Sequence, residues 1–166
     1  MFVELVVPVA ECTTLYQLID GDTYNIPDSA FDFSSSLSGF VIETVRLYGI
    51  GGWMSDVNTG VVEWFQADLG AVFFVVAIST QGFHGGTWGQ VTQYKISVSV
   101  DGSEFVMVTN AVGEEVEFEG NIDDDYNIIV RNELPVIVQT RVVRLTVIAY
   151  NANAGLRWEI EGCPLN

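Results

Sequence analysis

Positive charge is the scarcest commodity in this chain: six Lys and Arg stand against 22 Asp and Glu, for a net charge of −16. A protein that acidic repels polyanions at long range, which excludes nucleic acid as a partner. Histidine occurs once, at His84, in a Gly-rich loop without a flanking nucleophile motif, so no Ser/His/Asp arrangement is legible. Gly49-x-Gly51-Gly52 lacks the spacing and the strand-helix context of a dinucleotide loop. Carboxylate pairs are expected by chance among so many acids. The chain therefore reads as a binding module and not as an enzyme, with no cofactor implied. No run approaches the roughly 18 apolar residues of a membrane-spanning helix. Nor does any segment of ten residues hold a helical period. Cysteine occurs twice, at Cys12 and Cys163, and on that count alone two buried thiols and one disulfide are both open. The opening residues 1–7 have no basic leader region, and Glu4 and Pro8 break their apolar stretch, so no export signal is recognised there.

What is present is strand signal. Residues 72–78 are seven apolar residues in a row, β-branched or aromatic except Ala77, which marks a strand at the heart of a sandwich. Over 91–100, Tyr94, Ile96, Val98 and Val100 alternate with polar residues, and Asp101-Gly102 then turns the chain into a return strand at 105–108. Further strands are expected at 114–119, 135–139, 141–150 and 156–160, the last after the turn 151–155. At least seven short strands with turn signals about every ten residues predict an antiparallel all-β sandwich. At 166 residues this is one domain, 11–166, preceded by an apolar extension at 1–10.

The order Trp64, Asp68-Leu69-Gly70, Ile78-x-Thr80-Gln81-Gly82 and Tyr94-x-Ile96-x-Val98-Ser99-x-Asp101-Gly102 resembles the discoidin domain, also called the coagulation factor V/VIII type C domain. Cys12, Arg46-Leu47 before Trp53, Phe118-x-Gly120-Asn121-x-Asp123 and Leu156-Arg157-x-Glu159-Ile160-x-Gly162-Cys163 extend the resemblance over residues 11–165. It implies a galactose-binding-like jelly roll of about eight core strands. It also favours a disulfide between Cys12 and Cys163, whose loop of about 150 residues would contribute on the order of 5 kcal/mol. That bond in turn implies an oxidising, extracellular setting, with the chain a domain of a longer secreted or membrane-anchored protein.

In the family, loops at one rim hold the ligand, and by position Leu37, Phe40, Phe83, His84 and Trp88 fall on such loops, whereas Trp53 and Trp64 belong to the core. Relatives that enter phosphatidylserine membranes pair apolar tips with basic residues, and these loops carry none. The expected partner is accordingly a cell-surface or matrix glycan or a protein, with anionic phospholipid second. A structural accessory domain with an unused rim is the alternative. The resemblance also suggests an ion pair between Asp68 and Arg157. Asp20, Asp22 and Glu159 are the residues nearest to a calcium site known in the wider galactose-binding-like group.

Overall fold

The computed structural model describes residues 12–38, 42–56, 60–83 and 89–165. Among them nine strands form: β1 (Tyr16–Gln17), β2 (Phe31–Phe33), β3 (Trp53–Met54), β4 (Trp64–Gln81), β5 (Gln90–Ser99), β6 (Val106–Met107), β7 (Phe118–Glu119), β8 (Val130–Asn151) and β9 (Gly155–Pro164). Two short 3-10 turns, Asp28–Ala30 and Ile42–Val45, are the helical elements of this region. The strands run β1-β9-β4-β8-β5-β6, with β2 beside β4, β3 beside β9 and β7 beside β5, every pair antiparallel.

Two strands are much longer than the short elements expected, β4 with 18 residues and β8 with 22. A straight 18-residue strand would reach about 60 Å. Yet both ends of β4 meet the same neighbours. Trp64 at its start donates its N–H to the Ser34 hydroxyl, and the adjacent Ser35 carbonyl accepts from the Trp53 indole. Trp53 pairs with Leu156, one residue from Arg157, which pairs with Gln81 at the end of β4. The strand therefore folds back on itself, and the ladder breaks where it must, between Asp68 and Phe73. Gly70 supplies the left-handed backbone there, φ 78°, and the Asp68 carboxylate accepts its N–H at 2.9 Å.

β8 bends beside it. The sequence suggested separate strands at 135–139 and 141–150, but Thr140 bridges them: its buried hydroxyl accepts the Ser99 N–H and lies 2.9 Å from the Ser99 and Val142 carbonyls, replacing ladder bonds lost at the corner. Pro135, which has no N–H to give, falls where the ladder skips from Val75 opposite Val138 to Ala77 opposite Glu133. The strand expected over 114–119 is confined to Phe118–Glu119, and Val100 lies past the end of β5, 60% exposed.

The core lies between the two halves. Phe65, from the first half of β4, meets Trp158, which sits opposite Thr80 in the second half, edge to face at 5.7 Å; Trp53 packs on the same ring at 5.3 Å. All three are fully buried, and truncating any one to Ala should destabilise by about 3–5 kcal/mol. Trp64 differs from expectation: it is half-buried on the outer face of its sheet, because its neighbours Phe65 and Ala67 take the inward positions. Cys12 and Cys163 form the disulfide, with Cα atoms 5.6 Å apart. Cys163 pairs with Phe74, next to the bend, so the staple sits about 20 Å along β9 from Arg157.

Candidate functional site

At the end of the sandwich away from the disulfide, three loop segments meet: residues 46–52, residues 82–83 after β4 and residues 121–129. Sequence reasoning assigned Arg157 to a carboxylate; the structure corrects this. Its guanidinium is 1% exposed and lies under the loops, donating from Nε to the Gly82 carbonyl at 2.8 Å, from Nη1 to Gly49 at 2.8 Å and from Nη2 to Tyr126 at 2.5 Å. One side chain thus ties all three loops. Carbonyl dipoles replace a counter-ion, and burial pulls its pKa below the usual guanidinium value. Asp68 instead binds Arg141, at 2.8 Å and 2.7 Å, because the bend in β8 swings Arg141 over the bend in β4. Hydrogen bonding from Arg141 holds the Asp68 carboxyl below its ordinary value.

Gln81 repeats the tie one strand away. Its Oε1 accepts the Tyr48 N–H and its Nε2 donates to the Asn127 carbonyl, both at 2.8 Å. Buried Asn121 accepts from the Thr80 hydroxyl at 2.8 Å and donates to the Thr80 and Ile128 carbonyls. Gly52 allows the 46–52 loop to press against β9, since a Cβ there would stand 2.6 Å from the Leu156 carbonyl. The described parts of the loops are held from beneath by polar groups of β4 and β9 and of the 121–129 turn.

Two of these segments carry exposed apolar side chains. Tyr48 is 68% exposed with φ 63°, an unfavourable backbone for a tyrosine, and Ile50 is 82% exposed. Ile122 is exposed on the neighbouring turn, followed by exposed Asp123, Asp124 and Asp125. Of the residues singled out in the sequence, Leu37 and Phe83 are half-buried and come together on either side of one strand pair. The Leu37 N–H bonds the Met54 carbonyl at 2.9 Å, Met54 pairs with Gly155, and Phe83 packs over Gly155. Phe40, His84 and Trp88 lie outside the described residues. Tyr48 was missed; its signal was its place beside Gly49-Ile50-Gly51-Gly52, where the glycines leave nothing to cover a large side chain.

Cations are excluded from this rim. No Lys or Arg occurs between Arg46 and Lys95 or between Lys95 and Arg131. Arg46 turns away to Asp28 at 2.6 Å and stacks on Phe31. The residues considered for calcium do not converge. Both Glu159 oxygens are aimed at backbone N–H groups, those of Leu18, Ile19, Asp20 and Ile160, and Asp20 accepts from Asn25. Among the described residues no group of three or more His, Cys, Asp or Glu is placed to hold a metal ion. Burial raises the Glu159 pKa, against the lowering effect of those N–H donors.

A family model described as F5/8 type C domain matches residues 30–160. The chain belongs to the F5/8 type C domain family. As such it is a jelly-roll binding module and not an enzyme, as the motif order implied. Neuropilin-1a of Danio rerio is 31% identical over 120 residues, 69% of this domain and 12% of the neuropilin. The domain thus spans about an eighth of that curated relative. Discoidin II of Dictyostelium discoideum superposes with a TM-score of 0.65 at 24% identity, covering 82% of this chain and 56% of the other. A family 32 carbohydrate-binding module from Clostridium perfringens NanJ, solved in complex with galactose, gives 0.62 at 15% identity, covering 89% and 99%.

Proposed function

We propose that this domain is an extracellular recognition module that uses the rim of Leu37, Tyr48, Ile50 and Phe83 to hold a glycan or a protein surface that is not anionic. The observation carrying the reading is the division of labour at Arg157 and Gln81. Buried polar groups fix the loops, while Tyr48 and Ile50 stand exposed above them and Leu37 and Phe83 are half-covered beside them. Exposed Tyr and aliphatic tips beside polar groups suit a sugar face or an apolar protein patch. The galactose held by the NanJ module is compatible with the first.

Charge argues against a phosphatidylserine surface as the main ligand. Each cation near an anionic bilayer contributes about 1 kcal/mol, and this rim offers none while the protein carries −16. The disulfide supports an oxidising compartment, hence the extracellular assignment. A glycan array, immobilised extracellular-matrix proteins and phosphatidylserine liposomes, each presented to wild type and to the double variant Tyr48→Ser/Ile50→Ser, test the reading. Expected is glycan or protein binding that the double variant loses at unchanged melting temperature. Liposome binding that exceeds both, or binding indifferent to the two substitutions, overturns it.

A further inference from the structure

We infer that the outer face of the sheet formed by the first half of β4, the second half of β8 and β5 is a second contact surface, centred on Arg144 and fitted to a protein segment that presents a carboxylate beside an apolar side chain. With Phe65, Ala67, Val143 and Leu145 turned into the core, the alternation of the strands puts Trp64, Gln66 and Arg144 outside, and past the ladder irregularity at 147–149 Ile148 and Tyr150 are exposed. Arg144 is clamped there. Its guanidinium carbon lies 4.2 Å from the Trp64 ring centroid and 3.8 Å from that of Phe105, and its Nε and Nη2 both donate to Gln66 Oε1, at 2.8 Å and 2.7 Å.

What sets Arg144 apart is that no carboxylate among the described residues touches it. Arg46, Lys95, Arg131 and Arg141 each bind a carboxylate, and buried Arg157 takes three carbonyls. In a chain with 22 acids, Arg144 has no carboxylate within 4 Å among the described residues, and its Nη1 donates to none of them. Asp32, opposite Gln66, which is itself opposite Arg144, acts on the guanidinium without touching it, its backbone lying about 10 Å away across two strand spacings. A guanidinium sandwiched by two rings has already lost its freedom, so an incoming carboxylate gains charge-assisted hydrogen bonds without ordering a long side chain.

The surroundings fit a protein better than a free anion. Ile148 is 43% and Tyr150 46% exposed, and Val62, whose successor Glu63 accepts the Val147 N–H, is 69% exposed along the same edge. Trp, Tyr and Arg beside exposed aliphatics are the composition of binding hot spots.

The probe is benzoate, with neutral benzamide as control, followed through the Arg Nε–H and Trp indole N–H signals in NMR spectra of the whole chain. Expected are shifts at Arg144 and Trp64 with benzoate, saturating on the order of 10 mM, none with benzamide, and unmoved signals at Tyr48 and Ile50, which separates this face from the rim. Arg144→Gln should abolish the response. Asp32→Asn should strengthen it about twofold, the effect of removing a charge roughly 10 Å away in water, and this variant leaves the stacked side chains in place. Equal shifts with benzamide, no shift with benzoate, or weaker binding in Asp32→Asn overturns the inference.

Discussion

Replacing Arg157 by Met keeps the volume of a long side chain and removes its three donors beneath the rim, leaving those of Gln81 and Asn121 in place. Three carbonyls, those of Gly49, Gly82 and Tyr126, then lose their partner. A buried acceptor left without a bond destabilises by about 1–3 kcal/mol. The rim is close to water, which can reach these oxygens once the loops part, so the lower figure applies to each and the sum is about 3 kcal/mol. For a domain of this size each kcal/mol lowers the melting temperature by about 2–4 °C, so the variant should melt roughly 6–12 °C below wild type. The damage should also be local. Hydrogen exchange should accelerate at residues 46–52 and 121–129, while the amides of β5 and β8 on the outer sheet keep their protection. Calorimetry and exchange mass spectrometry read both. A melting temperature within about 2 °C of wild type, or exchange that quickens uniformly, would refute the idea that one guanidinium holds the three loops.

Reducing the bond between Cys12 and Cys163 should remove about 5 kcal/mol, the chain-entropy value for a loop of 151 residues, read as a lower urea midpoint in dithiothreitol. Asp68→Asn should have a small effect, about 1 kcal/mol or less, since both partners of its pair with Arg141 are about a third exposed or more; a loss of 3 kcal/mol or above in denaturant titration would mean that the pair itself sets the bend. Acid should destabilise the fold. Asp68, held down by its hydrogen bonds from Arg141, and Asp101, held down by the N–H groups of Ser103 and Glu104 and the Ser99 hydroxyl, both titrate lower when folded. Their contribution is present above the ordinary carboxylate range and is lost as pH falls below about 4. Asp101→Asn should flatten that part of the stability-versus-pH curve, and an unchanged slope counts against it. Glu159, raised by burial, acts with the opposite sign.

Most of the strand pattern could be read from the chain because burial follows alternation directly: Tyr94 and Ile96 are buried and Lys95 lies outside, as their period requires. The corners could not. Thr140 looks like any polar residue between two strands, and only its three backbone contacts show that it carries one strand through a bend. The same blindness misassigned Arg157. Its burial is decided by loops far off in sequence, and a chain of letters gives no sign that carbonyls will serve where a carboxylate was expected. Asp68 was recognisable as a charge needing a partner, but Arg141 reaches it only because β4 and β8 turn at the same place. Apolar rim positions such as Phe83 could be read from their place on loops, whereas Tyr48 was passed over although it stands beside a run of glycines, its exposure being set by a left-handed backbone, φ 63°.

The covalent link between Cys12 and Cys163 also decides how the domain would bear load. A pull applied to the chain on both sides of the link would run through the sulfurs, across a Cα separation of 5.6 Å, and leave the chain between them slack. The strands need not resist shear, and a ligand gripped at the far end would feel the tether only through rigid-body rotation. Under traction, the grip would fail before the body that carries it.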